Sequence, residues 1–329
     1  MKDSEWMVEE VLMHPEPIFL EPVFHERIWG GRKLQTLFGY PIPSGETGEA
    51  WVIAAHKNGS SKIAAGPLKG RSLLEVWNDY PGLFGKASSA GDFPLLVKIL
   101  DAHDDLSVQV HPDDEYAKRA EKEPFGKNEC WYVLDCEKNS YVVFGHRAES
   151  KEDFKRRVEE EEWDDLLIRV EVEKGDFFYV PSGTVHAVGK GNVILEIQQS
   201  SDITYRVYDY GRKDADGNTR ELHLQSAVDV IKFPHCSPAP RAVEEKSGNL
   251  VIRQLIQETY FTVYHWQVDG KAPIPMAADY LLLNVISGAG MISGSECSFP
   301  IAKGDHLILP ASIEAYSIEG ELEIIVSHE

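Results

Sequence analysis

The chain has 329 residues, 43% of them hydrophobic and 26% charged, which is ordinary for a globular protein with room for two domains. Its formal net charge of -21 disfavours binding to nucleic acid or an anionic membrane, and no apolar run is long enough to span a bilayer. The four cysteines form no C-x-x-C pair and the acidic N-terminus lacks an apolar signal segment, so we predict a cytoplasmic protein without a cysteine zinc site.

Short strands dominate the predicted secondary structure, because runs rich in Val, Ile, Tyr and Phe are bounded by Gly, Pro and Asp. In chain order these strands are Pro94–Leu100, Leu106–His111, Glu129–Asp135, Tyr141–Gly145, Asp176–Val180, Val193–Gln198, Leu281–Ile286 and Leu307–Pro310. The amphipathic segments that predict helices are Arg71–Asn78, Asp113–Lys122, Lys151–Ile168 and Leu222–Ile231, with Asp113 and Ser150 as N-caps. This balance indicates a mainly β fold.

A weak internal repeat predicts two similar β units. Lys174–Pro181 (KGDFFYVP) matches Lys303–Pro310 (KGDHLILP), and each copy is a turn, an apolar strand and a proline. Between them, the proline-rich and charged segment Phe233–Gly248 is typical of a linker. We therefore predict a catalytic domain with helical insertions over 1–235 and a C-terminal domain over 236–329.

Three separate segments supply a candidate metal site. Period-2 alternation puts Ser107, Gln109 and His111 on one face of a predicted strand. Glu129 begins the next predicted strand, and His186 follows a Pro-x-Gly turn. Each residue alone is explained more simply as an ordinary surface or core residue. As a set, imidazole and carboxylate ligands suit Zn²⁺ and leave positions open for a substrate, although Fe²⁺ and Mn²⁺ accept the same ligands.

The second copy of the repeat lacks the histidine. His186 follows Pro181 by five positions, whereas the residue five positions beyond Pro310 is Ala315. If His186 binds metal, the C-terminal domain has lost that ligand. We therefore predict one catalytic and one structural domain.

Five segments also match a family pattern as a set, namely Phe93–Asp101, Leu106–Asp114, Gly126–Glu129, Gly175–His186 and Gln198–Asp209. Together they resemble the type I mannose-6-phosphate isomerases of the cupin superfamily, in their compact bacterial branch. The resemblance extends from about Glu21 to Ile231. It implies two cupin-like, jelly-roll β-barrels with a few peripheral helices.

The resemblance also implies the site residues. One Zn²⁺ per chain would be held by Gln109, His111, Glu129 and His186. The implied catalytic residues are Arg206, Lys127 and Glu196, and the implied substrate-binding residues are Trp29, Glu49, Lys98, Ser107 and Asp202. The reaction would interconvert mannose 6-phosphate and fructose 6-phosphate through a cis-enediolate, with zinc polarising the substrate oxygens and Arg206 stabilising the developing charge.

The strongly acidic chain needs local positive charge to bind a phosphorylated sugar. Candidate phosphate contacts are Ser107, Lys98 and Arg206, with Lys127 and Arg212 as further basic groups, although Arg212 is as well explained as a solvated residue. The proton carrier stays open between Glu196 and Lys127. No protein partner is evident from the sequence.

Two other functions fit a cupin with these residues. One is a different metal-dependent enzyme, such as an iron dioxygenase, although Gln109 replaces the second histidine that oxygen chemistry favours. The other is a non-catalytic sugar-binding cupin, which would bind a sugar without converting it.

Overall fold

A computed structural model describes residues 16–85, 91–213, 217–238, 241–295, 297–311 and 315–329. The chain is mainly β with few helices, so the predicted fold class is confirmed. Its contacts form two compact units. The central unit comprises the described residues of Phe24–Ala50 and Val97–Ala239, and the flanking unit comprises those of Met1–Val23, Trp51–Leu96 and Pro240–Glu329.

The strands of the described residues are β1 (Ile18–Glu21), β2 (Val23–Gly31), β3 (Thr47–Ile53), β4 (Ala55–His56), β5 (Gly59–Ser60), β6 (Lys62–Ile63), β7 (Leu95–Asp101), β8 (Val108–Val110), β9 (Glu129–Asp135), β10 (Tyr141–His146), β11 (Leu167–Glu171), β12 (Phe177–Val180), β13 (His186–Val188), β14 (Val193–Gln199), β15 (Tyr205–Tyr208), β16 (Val243–Ser247), β17 (Leu250–Gln257), β18 (Thr262–Pro273), β19 (Leu281–Ser293), β20 (Ser298–Ala302), β21 (His306–Leu309) and β22 (Ser317–His328).

The helices are short and lie between strands. They are α1 (Lys33–Phe38), α2 (Leu73–Asp79), α3 (Asp114–Tyr116), α4 (Lys151–Glu159), α5 (Trp163–Leu166) and α6 (Leu224–Val230), with a 3₁₀ turn at Pro81–Phe84 and a π-helical turn at Ala117–Glu121. Across the described ranges, no helix has the length and apolar character that crossing a membrane requires.

Two sheets build the central unit. One has the strand order β11-β10-β13-β8-β15, and the other has the order β12-β9-β14-β7-β3-β2. Alternate residues of β9 (Trp131, Val133) and of β10 (Val142, Phe144) join a single hydrophobic cluster, so the two sheets pack face to face. Burying each such side chain contributes about 1.5–3 kcal/mol. This core fixes the strands that carry the site described below.

The flanking unit has its own core. Its main sheet has the order β16-β17-β18-β22-β19-β21-β1-β6, with β20 paired to β19. The cluster beneath it includes Trp266, Leu283 and Ile324, each at most 2% exposed. At Gly288, where φ is +80°, an added Cβ would lie 1.8 Å from the carbonyl oxygen of Glu321, so this close approach of β19 and β22 requires glycine.

The described residues of Trp51–Leu96 group with the C-terminal residues in one compact unit, and the division into domains at residues 235 and 236 stays a prediction. Aromatic packing gives the physical reason. The rings of Trp77 and Phe84 lie 6.2 and 5.4 Å from that of Tyr280, and the Ala311 amide donates to the carbonyl of Leu83.

The predicted helix Lys151–Ile168 is interrupted after Glu159 and ends early, since α5 covers only Trp163–Leu166. The helix begins as predicted, with the Ser150 hydroxyl accepting from the Asp153 amide at 3.1 Å, but α4 ends at Glu159. Glu161 has a φ of +56°, and from Leu167 the chain pairs with β10 as a strand. Pairing with the sheet therefore overrides the helical pattern.

Two further expectations need adjustment. Asp113 caps α3 as predicted, accepting from the Tyr116 amide at 2.8 Å, but the following turn is π-helical. The predicted linker is wrong at Val243–Ser247, which forms β16 and pairs with β17. All five β16 residues are exposed, so no hydrophobic alternation signalled this strand.

Candidate metal centre and adjoining cavity

Strand register aligns three of the predicted site residues across the five-stranded sheet. His186 on β13 pairs with Gln109 on β8, and Gln109 also pairs with Arg206 on β15. Directly opposed residues project from the same face of a sheet. Phe144, the partner of His186 on β10, belongs to the core between the sheets, so this row faces the interior of the central unit. His111, two residues beyond Gln109, shares that face.

The facing sheet supplies the carboxylates. Glu129 is the first residue of β9, and Trp131, two residues later, is buried in the core between the sheets. Glu196 on β14 pairs with Trp131, whose indole nitrogen donates to Glu196 Oε1 at 3.3 Å. Both carboxylates therefore lie on the inner surface of the facing sheet.

His111, Glu129 and His186 form a compact, buried group. The relative exposures of the three are 1%, 0% and 1%, and their ligand atoms all lie within 4.8 Å of one another. Nε2 of His111 is 3.5 Å from Glu129 Oε2, and Nε2 of His186 is 3.3 Å from Glu129 Oε1. We call these three residues the metal cluster.

The metal cluster fits a divalent ion. Nδ1 of His111 bonds to the carbonyl of Ile203 at 2.8 Å, and Nδ1 of His186 bonds to that of Thr184 at 2.9 Å. Each of these bonds places the ring proton on Nδ1 and leaves the Nε2 lone pair as a ligand. Glu129 Oε1 and Nε2 of His186 are buried and have no hydrogen-bond partner within the described part of the chain. Buried polar atoms without partners are costly, and a bound cation would satisfy them.

Lys127 connects the metal cluster to the cavity beside it. Its ammonium nitrogen is 2.9 Å from Glu129 Oε2 and 3.1 Å from His111 Nε2. Burial alone would lower the pKa of Lys127, but the carboxylates of Glu129 and Glu196 outweigh it and raise that pKa above its usual value. In the metal-free protein, Lys127 is therefore a positive charge held beside these carboxylates.

Metal-free protein is expected to lose stability at low pH through His186. Burial, aided by the charge of Lys127, lowers the pKa of His186 to about 4. The unfolded chain, with a histidine pKa of about 6.5, then binds an extra proton between these two values. The contribution of neutral His186 to the free energy of unfolding is complete above about pH 6.5 and is lost as the pH falls towards 4.

Urea unfolding of chelator-treated protein at about pH 7 and pH 4.5 measures this loss. We expect His186→Gln to lose about 2 kcal/mol less than the wild type over this interval. Equal losses in the two proteins would show that His186 is not held neutral.

A cavity of about 470 Å³ adjoins the metal cluster. Its walls include nine of the residues predicted for the site, namely Trp29, Glu49, Lys98, Ser107, Gln109, Lys127, Glu196, Asp202 and Arg206. The structure therefore brings all the predicted site residues into one region of the central unit, nine on the cavity wall and three in the metal cluster. A cavity of this size is typical of small-molecule sites.

The cavity carries a charge balance unlike that of the whole chain. Among its lining residues, five are cationic and four are anionic, whereas the chain has 33 basic and 54 acidic residues. Lys98 Nζ lies 3.5 Å from Glu196 Oε2, and both side chains are nearly inaccessible to solvent. The cavity is thus a local exception to the acidic surface that would repel an anionic substrate.

Sequence reasoning missed two arginines of the cavity wall. Arg27 binds both carboxylate oxygens of Glu49, at 2.9 and 3.1 Å, and it lies two residues before Trp29 on β2, so period-2 spacing would have found it. Arg220 lies outside any predicted strand or helix, and no motif around it indicates a position in the cavity wall. Arg212, considered as a phosphate contact, is not among the lining residues and instead donates to Asp209.

Comparisons with known proteins agree with this geometry. The family model "Phosphomannose isomerase type I, catalytic domain" matches residues 18–149, and "Mannose-6-phosphate isomerase, cupin domain" matches residues 251–329. The mannose-6-phosphate isomerase ManA of Bacillus subtilis is 50% identical over 96% of this chain and 100% of its own length. That of Streptococcus mutans is 48% identical over 95% of this chain and 98% of its own.

A solved structure extends the likeness to three dimensions. The crystal structure of the mannose 6-phosphate isomerase from Bacillus subtilis superposes with a TM-score of 0.92 at 44% identity. The match covers 95% of this chain and 99% of that one.

Proposed function

Because this chain belongs to the type I mannose-6-phosphate isomerase family, we propose that it interconverts mannose 6-phosphate and fructose 6-phosphate. The observation that carries the proposal is the buried metal cluster beside a cavity lined by cations and carboxylates. The reaction moves a proton between C2 and C1 of the sugar, and a cis-enediolate with charge on its two oxygens is the intermediate we propose.

We propose that one Zn²⁺ per chain is the metal. Two neutral imidazoles and one carboxylate are a common protein ligand set for catalytic zinc. Gln109 is the proposed fourth ligand, since it lies opposite His186 in register and lines the cavity. When bound, the ion supplies a Lewis acid for the oxygens of the substrate at C1 and C2.

Glu196 is the proposed proton carrier. Burial, with a further contribution from Glu129, raises its pKa despite the opposing charges of Lys127 and Lys98. A raised pKa brings a carboxylate closer to the strength of base that proton abstraction at neutral pH favours. Glu196 would take the proton from C2 of mannose 6-phosphate and return it to C1, while the hydroxyl proton on O2 moves to O1, so the aldose and the ketose contain the same atoms. Lys127, with its raised pKa, is disfavoured for this role.

Arg206 and Lys127 are the proposed electrostatic groups. Both line the cavity, and Arg206 projects from the same sheet face as Gln109. Fixed cations aimed at the enediolate oxygens stabilise the charge that develops there without reorganising water. The planar, permanently charged guanidinium of Arg206 suits two adjacent oxygens.

A coupled assay of mannose 6-phosphate conversion, run before and after chelator treatment, tests the proposed function. The wild type should turn over, lose activity with chelator, and regain it when Zn²⁺ is restored. If zinc-loaded protein does not convert mannose 6-phosphate, the proposed function is wrong. Iron content with oxygen consumption would favour a dioxygenase, and sugar binding without conversion would favour a binding protein.

A cytoplasmic location stays a prediction. All four cysteines are free, which suits a reducing compartment.

A further inference from the structure

Arg220 lines the cavity and has no part in the proposed proton transfer or metal binding. It lies eleven residues beyond Asp209 in sequence, yet its Nε donates to Asp209 Oδ2 at 2.8 Å and its Nη2 donates to Oδ1 at 2.5 Å. This is a bidentate pair, in which the planar fork matches the carboxylate and fixes the orientation of the guanidinium.

Asp209 is a buried carboxylate that fixes the position of Arg220. It directly follows β15, is 5% exposed, and also accepts from Arg212 Nη2 at 2.5 Å. Arg212 in turn donates to the backbone carbonyl of Asp105, which ties the pair to the fold. Burial alone would raise the pKa of Asp209, but its bonds to Arg220 and Arg212 outweigh burial and lower it. The carboxylate is therefore ionised, and its charge is fully engaged by two guanidiniums.

The bidentate pair leaves part of the Arg220 fork unused. The bonds to Asp209 use Nε and Nη2 of Arg220 and not Nη1, while the residue lines the cavity and its side chain is 25% exposed. Because Asp209 already fixes the orientation of the guanidinium, binding an anion there costs little conformational entropy.

A second guanidinium adds to the positive charge at this position. Burial and then the charge of Arg220 lower the pKa of Arg206, so the two arginines are close enough to interact. Arg212 and Arg220 both bond the carboxylate of Asp209, so these three side chains have a net charge of +1, to which the nearby Arg206 adds. Ser107 and Thr204 add hydroxyl groups to the same cavity.

We propose that Arg220, positioned by Asp209, binds the phosphate group of the substrate. This inference rests on the proposed function, because it assigns one end of a sugar phosphate to the arginine pair. The phosphate is the anionic group of such a substrate, and it matches a positively charged site with a planar donor fork. Arg212 then acts through Asp209 and not on the substrate.

The test compares Arg220→Gln with the wild type. The variant should raise both the KM for mannose 6-phosphate and the inhibition constant of inorganic phosphate by at least about tenfold, because a charge-assisted contact is lost. The value of kcat should change much less than KM, as expected for lost substrate binding. Arg169→Gln is the matched control, because Arg169 is half exposed, pairs with Asp164 and lies outside the cavity lining, so both constants should stay within about twofold.

Asp209→Asn tests the positioning role. It should raise the same two constants, and in the double variant it should add little to Arg220→Gln, because residues that act through one another are not additive. Additive effects of the two substitutions would overturn the positioning role. If Asp209→Asn fails to fold, Arg220→Gln alone carries the test.

The result that would overturn the inference is an active Arg220→Gln variant with unchanged KM and unchanged inhibition by phosphate. A wild type without turnover would instead remove the proposed function. Calorimetric titration with inorganic phosphate would then still decide whether Arg220 contributes to phosphate binding.

Discussion

His111→Ala is expected to lose bound metal and isomerase activity together. Nε2 of His111 is one of three buried ligand atoms, and its removal leaves Glu129 and His186 without a complete coordination shell. Metal affinity and turnover should each fall by more than about 100-fold, since even residues outside the ligand shell affect affinity by about 10–100-fold. Elemental analysis of the purified variant and the coupled assay measure the two losses.

The matched control is His103→Ala. His103 is exposed and lies outside the metal cluster, so this variant should keep one metal ion per chain and normal turnover. An active His111→Ala enzyme with full metal content would contradict the ligand assignment.

Arg206→Ala is expected to keep the metal and lose turnover. Arg206 is held by a hydrogen bond from Nη1 to the carbonyl of Glu221 at 2.7 Å, and its side chain is outside the metal cluster. Loss of one fixed charge at the developing oxyanion typically costs about 100-fold or more in kcat. Steady-state kinetics combined with metal analysis separate this outcome from that of His111→Ala.

Arg206→Lys serves as the conservative comparison. It keeps the positive charge but loses the planar fork, so kcat should lie between those of the wild type and the alanine variant. Normal turnover of Arg206→Ala would show that Arg206 does not stabilise the enediolate.

His111, Glu129 and His186 lie together as the family resemblance implied, and local alternation had indicated only one face of β8. Alternation along β8 identified one face, and residues on that face pair with His186 and Arg206 in the observed register. The family motifs supplied the rest of the set. The sequence did not show why these side chains come together. They do so because two sheets pack around the core that contains Trp131 and Phe144.

The features that sequence reasoning missed depend on contacts between distant residues. The helix predicted through Ile168 stops because Leu167 pairs with β10, a tertiary interaction that outweighs helical periodicity. Residues 51–96 join the flanking unit through contacts such as that of Trp77 with Tyr280. Arg220 reaches the cavity wall through its bond to Asp209, and no motif in its own segment indicates this.

Anomalous diffraction from crystals of the zinc-loaded protein tests the central claim most directly. We predict a single peak per chain at the zinc edge, about 2.0–2.2 Å from Nε2 of His111, Nε2 of His186 and an oxygen of Glu129. A fully active crystal preparation with no peak at these three residues, or with its only peak elsewhere, would contradict the account.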